Sequence, residues 1–303
     1  MPTLDAVDAA PLDLPVRVQL CHAALQHLAD QSGLDVLHVK GPAIDSALTD
    51  RKRFSTDADI LIRPSHTAAL QRTLERNGWR LVTSFKAGSF FEHAANYHHD
   101  SWGYVDVHRR FPGVTMHPDE AFEELWSRRQ EMVIAQWPCP VPGLVDQAML
   151  LTLHAARGEN SPRARLDVEN AFDRQPEDFQ RQVRDRADDL GATLALAAAL
   201  HELDQHPEDP MTDLWRFYAE GGTRADEWRA RWRAALTAQT RARVLIGIVW
   251  VNREFVAMEL GHEPSSAEMR AAFYSRIRNA VNSLRRNPRP RPVHPPHSPQ
   301  DQG

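Results

Sequence analysis

Arg53-Phe54-Ser55-Thr56-Asp57-Ala58-Asp59-Ile60-Leu61-Ile62 decides how the first half of this chain reads. Two acids, two positions apart, open a run of aliphatic residues, which is the pattern of a buried strand. Strand side chains alternate faces, so Asp57 and Asp59 project from one side at one end of that strand. Like charges held side by side repel, and they need a cation between them or a shared proton. A hard divalent ion such as Mg²⁺ meets that need and brings substrate phosphates with it. Downstream, Tyr104-Val105-Asp106-Val107-His108 reads as a second strand and offers a third carboxylate at Asp106. Three carboxylates on two neighbouring strands can hold a pair of metals for in-line phosphoryl transfer.

Upstream, Lys40-Gly41-Pro42 follows a short strand expected over Asp35–Val39, and Ala43–Leu48 reads as the start of a helix. A glycine in that turn lets a phosphate approach the backbone, and a helix N-terminus behind it would add N–H donors. The order Lys-Gly, then Arg-x-x-x-Asp-x-Asp with Ile-Leu-Ile, then Asp-Val-His, resembles the DNA polymerase beta-like nucleotidyltransferase superfamily. Within it, the chain is most similar to a bacterial branch described as uncharacterised nucleotidyltransferase. The resemblance spans roughly residues 34 to 110, with an echo at Leu150-Leu151-Thr152-Leu153-His154-Ala155-Ala156. Lys40-Gly41 stands where the superfamily has Gly-Ser, and the branch shares the Lys-Gly form.

The resemblance implies an α+β fold, with a mixed sheet and flanking helices in a nucleotidyltransferase domain, followed by an all-helical domain. It implies transfer of a nucleoside monophosphate from an NTP, ATP among them, to an acceptor, with Mg²⁺ or Mn²⁺. Asp57, Asp59 and Asp106 would be catalytic and hold the metals. Lys40, Gly41, Arg53 and His108 would meet the nucleotide. The acceptor is a protein, a small molecule or a nucleic-acid end.

Composition narrows the class. With 303 residues, 42% hydrophobic and 25% charged, the chain is an ordinary globular protein of one large or two smaller domains. No apolar run reaches the length of a membrane span. The start, Met-Pro-Thr-Leu-Asp, does not read as a secretory signal. Two cysteines, Cys21 and Cys139, are too few for a disulfide scaffold, so a cytoplasmic protein is expected. A net charge of −5 argues against general nucleic-acid binding.

Four segments are expected: a loose arm over 1–13, the nucleotidyltransferase domain over 14–138, a helical domain over 139–287, and a disordered Pro-rich tail over 288–303. Trp137-Pro138-Cys139-Pro140-Val141-Pro142-Gly143, rich in turn formers, reads as the linker. Helices are expected at Val16–Gln31, Pro64–Asn77, Leu144–Arg157, Arg163–Arg174, Pro176–His206, Arg224–Leu260 with breaks, and Ser265–Arg286. Further strands are expected at Arg80–Phe85 and Phe90–His93.

Each candidate has a plainer alternative. Asp57 and Asp59 as a solvated loop pair would lack the apolar run behind them. Asp106 has a possible structural partner in Arg109 or Arg110. His108 shares the Asp106 face, as a phosphate ligand, a group that orients Asp106, a base or a sheet histidine. Lys40 has no acid in its own turn, which leaves it for a phosphate. Arg53 is either a phosphate clamp or a partner of Asp57. The run His93-Ala94-Ala95-Asn96-Tyr97-His98-His99-Asp100 reads as a loop near the nucleotide. Two other classes stay open: a non-catalytic nucleotide- or protein-binding module, and a Zn²⁺ hydrolase using His93, His98, Asp100 and His108. His154 reads as a core histidine, and Asp167 echoes an acid of the family.

Overall fold

Ile60, Leu61 and Ile62 sit at the centre of the fold because their strand, β2 (Asp57–Ile62), is covered on both sides. Strands buried on both faces read as continuous apolar runs rather than as alternation. The computed structural model describes residues 12–49, 55–85, 93–249, 251, 253, 256, 260 and 262–285. Besides β2, the main sheet contains β1 (Val36–His38), β3 (Arg80–Thr83), β4 (Ala94–His99) and β5 (Gly103–His108). Their order across the sheet is β1-β2-β5-β4-β3. β2 pairs antiparallel with β1, Leu37 opposite Leu61, and parallel with β5, Asp59 opposite Asp106. The sheet is therefore mixed, and the fold is α+β.

Alternation then sorts the two faces. Ala58, Ile60, Ile62, Val105, Val107, Ala95 and Tyr97 point to one side. There they pack on Leu25 and Ala29 of α1 (Leu14–Ser32) and on Leu70 and Leu74 of α2 (Thr67–Arg76). α1 ends where expected: Gly33 takes a left-handed φ of 63° and its N–H closes on Asp30. On the other side, Leu37 and Leu61 share a core with Phe122 of α3 (Pro118–Ser127), Met149 of α4 (Leu144–Ala155), Val183 of α6 (Glu177–Asp189) and Leu196 of α7 (Thr193–Ala199). Between α4 and α6 lies α5 (Pro162–Val168), which runs into a π-helical turn over Glu169–Asp173. α8 (Thr212–Glu220), α9 (Arg224–Ala234), α10 (Ala238–Val249) and a last helix over Ser266–Arg285 complete the described chain. Among the described residues no helix is long and apolar enough to cross a membrane.

Several elements differ from expectation. Ala43–Leu48 is not a helix start but two short 3₁₀ turns, Gly41–Ala43 and Ser46–Leu48. Asp45 caps the second through Ala47 N–H, a local bond that competes with a continuous helix. The His-rich run is strand β4 rather than a loop, because Ala95 and Tyr97 alternate inward into the core. The expected linker is strand β7 (Trp137–Val141), paired in a ribbon with β6 (Gln130–Ile134). Its two prolines are tolerated because a two-stranded ribbon has only edge strands. The turn uses left-handed φ at Ala135 and Gln136, 47° and 66°, without the usual Asn-Gly signal. This strand crosses position 138, where the two domains were expected to meet. The expected helix Pro176–His206 breaks at Gly191, whose φ is 66°. α3 and α8 were not foreseen. Most of the expected N-terminal arm, part of the Phe90–His93 strand and the Pro-rich tail lie outside the described residues.

Candidate active site

The parallel pairing of β2 and β5 creates the site. Directly paired residues point to the same side, so Asp59 and Asp106 stand next to each other, with Asp57 and His108 on the same face. One carboxylate oxygen each from Asp59 and Asp106 and one ring nitrogen of His108 lie within 4.8 Å of one another. Asp59 is 4% exposed. Its Oδ1 accepts from Lys40 Nζ at 2.6 Å and from His108 Nε2 at 2.9 Å. Asp57 lies outside this tight group. Its carboxylate accepts from the hydroxyls of Ser55 at 3.2 Å and Thr56 at 3.3 Å.

The charges behave as crowding predicts. Burial alone would raise the Asp59 carboxyl, but Lys40 and the His108 hydrogen bond hold it well below the usual carboxylate range. Asp106 has no cation bonded to it among the described residues, and Lys40 and the Asn96 hydrogen bond lower its carboxyl only in part. Burial, then Asp59 and Asp57, push its carboxyl up to about 7. Burial and Asp59 also raise Asp57. His108 is lowered to about 4, by burial first and by Lys40 next, against the pull of Asp59. A neutral His108 donating from Nε2 must leave Nδ1 as a bare acceptor. That atom is buried and has no hydrogen-bond partner among the described residues.

Lys40 corrects the expectation that it stands free of acids. Val39 N–H bonds to the Asp59 carbonyl at 3.2 Å, which carries the next residue to the Asp59 carboxylate, far away in sequence. Gly41 adopts φ +58°, and a Cβ there would stand 2.9 Å from Ser55 Cβ. Only glycine fits that turn. Behind it lies a buried pair, His22 Nδ1 to His38 Nδ1 at 2.7 Å. His38 Nε2 meets the Gln26 side-chain carbonyl oxygen, Oε1, at 3.0 Å. A carbonyl only accepts, so His38 carries its proton on Nε2, and His22 donates through Nδ1.

Asp106 does not pair with Arg109 or Arg110. It accepts from the Asn96 amide, and Asn96 in turn accepts from the Thr83 hydroxyl. The Arg109 guanidinium stacks 4.7 Å from the Phe85 ring centre. Arg53, with Lys52, lies outside the described residues. The proposed zinc set is not assembled. His98 stacks on Tyr104 at 4.6 Å, and Asp100 is bound at the exposed edge by Arg80 at 2.6 Å. Among the described residues the one metal-competent group is Asp59, Asp106 and His108.

Sequence reasoning placed His93 only in the zinc alternative and missed Arg157. His93 is 7% exposed, and its ring centre is 5.4 Å from that of His108. Arg157, in the turn after α4, places Nη1 3.3 Å from His93 Nε2. The histidine run held a signal for His93, although its role as a loop was misread. Nothing local marked Arg157, because only the packing of α4 on the sheet brings it here. His154 is half-buried on α4 and Asp167 is buried on α5.

A hard divalent ion fits this donor set. Two carboxylates converge, one of them crowded by its acidic neighbours in a way a cation would relieve, and oxygen donors suit Mg²⁺ or Mn²⁺. His108 in its present tautomer spends Nε2 on Asp59, so it steadies that ligand.

The family model described as "Uncharacterised nucleotidyltransferase" matches residues 18–205, more than half of the chain. No curated protein matches. Among solved structures, the chain is similar to a lincosamide antibiotic adenylyltransferase, LnuA, bound to lincomycin. Identity is 17%, the match covers 49% of this chain and 92% of that one, and the TM-score is 0.35. It is similar to the antibiotic-resistance factor ANT(2'')-Ia at 14% identity, over 64% of this chain and 95% of that one, with a TM-score of 0.37. A nucleotidyltransferase-like antigen from Paracoccidioides brasiliensis matches at 13% identity, over 62% and 95%, also at 0.37. Likenesses this distant carry no argument about substrate or mechanism.

Proposed function

Because the chain belongs to the uncharacterised nucleotidyltransferase family, we propose that it moves a nucleoside monophosphate from an NTP to an acceptor hydroxyl and releases pyrophosphate. The observation that carries this reading is the register of Asp59 against Asp106 on parallel strands, beside the Lys40-Gly41 turn. Asp57, Asp59 and Asp106 would hold Mg²⁺ or Mn²⁺. When bound, such ions neutralise phosphate oxygens and make the acceptor hydroxyl easier to deprotonate.

The chain's own residues account for the rest. Gly41 leaves room for the β- and γ-phosphates where a side chain would meet Ser55. Lys40 supplies a positive charge next to them while it holds Asp59. Arg53, four positions before Asp57, would offer a further cation to the phosphates. His108 keeps Asp59 oriented through Nε2. Asp106 takes the proton of the acceptor hydroxyl. The acceptor oxygen bonds to the α-phosphorus, the bond to the β-phosphate oxygen breaks, and pyrophosphate leaves. Positioning and charge neutralisation supply most of the rate in such reactions.

The acceptor is a protein, a small molecule or a nucleic-acid end. Two competing classes fare worse. A non-catalytic module has no need of three crowded acids. A zinc hydrolase would need His98 and Asp100 at the centre, and both lie at the sheet edge. The test is incubation with each α-labelled NTP and Mg²⁺, Mn²⁺ or Zn²⁺, with a search for label on the protein, added RNA and lysate components. Label transfer that needs Mg²⁺ or Mn²⁺ and is lost in Asp59→Asn supports the reading. Failure of the intact protein to bind any NTP in calorimetry refutes it.

A further inference from the structure

We propose that the helical half of the chain holds a second binding site, a cavity walled by α4, α5, α7 and α8 that takes a small organic ammonium compound with an apolar body. The inference stands apart from the transfer reading above, because it uses none of the residues named there and needs no nucleotide.

The space is built into the sequence. The cavity measures about 510 Å³, within the size range of small-molecule sites. Ala155 and Ala156 at the end of α4, Ala164 of α5, Ala198 and Ala199 of α7 and Ala219 of α8 line it, and all six are buried. Four helices converge there on single methyl groups, which leave a gap where interiors are otherwise close-packed. The floor is therefore apolar and suits a hydrocarbon body.

The backbone around the gap is unusual. Five described non-glycine residues take a left-handed φ, and two of them, Ala135 and Gln136, make the β6–β7 turn. The other three gather at this rim. Asn160 and His201 line the cavity at φ 53° and 59°, and Glu159, at 47°, precedes Asn160. His201 ends α7 in the conformation that glycine usually supplies. Such residues cluster at ligand clamps, where the surrounding fold holds them. The π-helical turn over Glu169–Asp173 forms part of the same wall, and turns of this kind recur at functional sites.

Charge selects the ligand. Two arginines line the cavity, and both are engaged. Arg174 donates to Glu169 at 2.5 Å and to Asn170 at 2.9 Å, and Arg165 donates to the Asn160 carbonyl at 2.7 Å. Asp173 differs. It lines the cavity and is exposed, so a solute reaches it. Its carboxylate makes no hydrogen bond or ion pair with another described residue. Partial burial first and then Glu169 raise this carboxyl, against the pull of His201. A cation beside it would relieve that crowding, and a donor with positive charge makes the stronger hydrogen bond to a carboxylate. A carboxylate ligand would instead meet Asp173 and find both arginines engaged.

The test titrates the full chain by saturation-transfer NMR with 2-phenylethylamine, 2-phenylethanol and 3-phenylpropionate, in EDTA and again with Mg²⁺. The amine should bind roughly tenfold or more tightly than the alcohol, and the anion should not bind. Asp173→Asn should weaken the amine by about tenfold and leave the alcohol unchanged. Ala164→Leu fills the floor and should abolish binding of the amine. If thermal melts show that this variant is unfolded, Asp173→Asn, an exposed substitution, carries the test. Mg²⁺ should not displace the amine. Four results overturn the assignment: the amine binds no tighter than the alcohol, the anion binds as well as the amine, Asp173→Asn binds the amine like the parent, or Mg²⁺ displaces it, which would put it on the carboxylates of β2 and β5. Failure of the protein to bind any NTP would sink the transfer reading and leave this site standing.

Discussion

Replacing Asp106 by asparagine should stabilise the metal-free protein at pH 8, and by only roughly a third as much at pH 5. Burial and two neighbouring acids raise this carboxyl from 3.8 to about 7. Between those values the folded protein keeps a proton that the unfolded chain has lost, so stability falls as pH rises through that window. The loss is complete above about pH 7, and at roughly 1.4 kcal/mol per pH unit its ceiling is about 4 kcal/mol. Site relaxation and coupling to Asp59 bring the expected gain of Asp106→Asn to about 1–2 kcal/mol at pH 8. That corresponds to a rise in Tm of about 2–4 °C. The asparagine oxygen can still accept from Asn96, so packing is kept. Thermal melts in EDTA at pH 5 and pH 8, then with Mg²⁺ at pH 8, read the effect. Mg²⁺ should raise the Tm of the parent protein and leave that of the variant unmoved. A variant that melts below the parent at pH 8 in EDTA would refute the crowded-carboxylate account.

Other perturbations separate the parts of the site. Gly41→Val should cost about 1–3 kcal/mol, from the left-handed backbone and the 2.9 Å approach to Ser55 Cβ; it should weaken an NTP analogue at least tenfold in calorimetry, and normal binding would remove Gly41 from the cradle. Lys40→Met should lift the Asp59 carboxyl by removing its nearest cation, so nucleotide affinity should fall more steeply below pH 6 than in the parent; an unchanged pH profile would show that His108 alone sets Asp59. Arg186 and Asp146 form a buried pair at 2.6 Å, both 2% exposed. Arg186→Met alone should cost about 3–5 kcal/mol in urea melts by stranding Asp146, and Asp146→Leu added to it should recover much of that; a double variant no better than the single one would count against a stranded charge.

The core of the site was legible because it lies on strands. Period-two alternation put Asp57 with Asp59 and Asp106 with His108 before any contact was known, and the apolar run after Asp59 placed the pair at a strand end. Glycine's φ at position 41 followed from the same local logic. What failed was non-local. Lys40 looked free because its acid, Asp59, is brought in by the pairing of β1 with β2. Asp106 looked ready for a neighbouring arginine, but the β4–β5 register gave it Asn96. Arg157 carries no signal in its own neighbourhood. The β6–β7 ribbon hid behind prolines that a two-stranded ribbon tolerates but a larger sheet would reject.

The parallel ladder between β2 and β5 also bears on how the protein comes to exist. Forty-nine positions separate Asp59 from its partner His108. α2, β3 and β4 must be laid down between them, since parallel neighbours cannot be joined by a tight turn. Contacts of such long range form late and slowly during folding, after the chain has met the entropy of closing the loop. Early collapsed species would therefore lack a place for a divalent ion. Mg²⁺ should slow unfolding far more than it speeds refolding, and a nascent chain should gain no protection from the ion until β5 has left the ribosome.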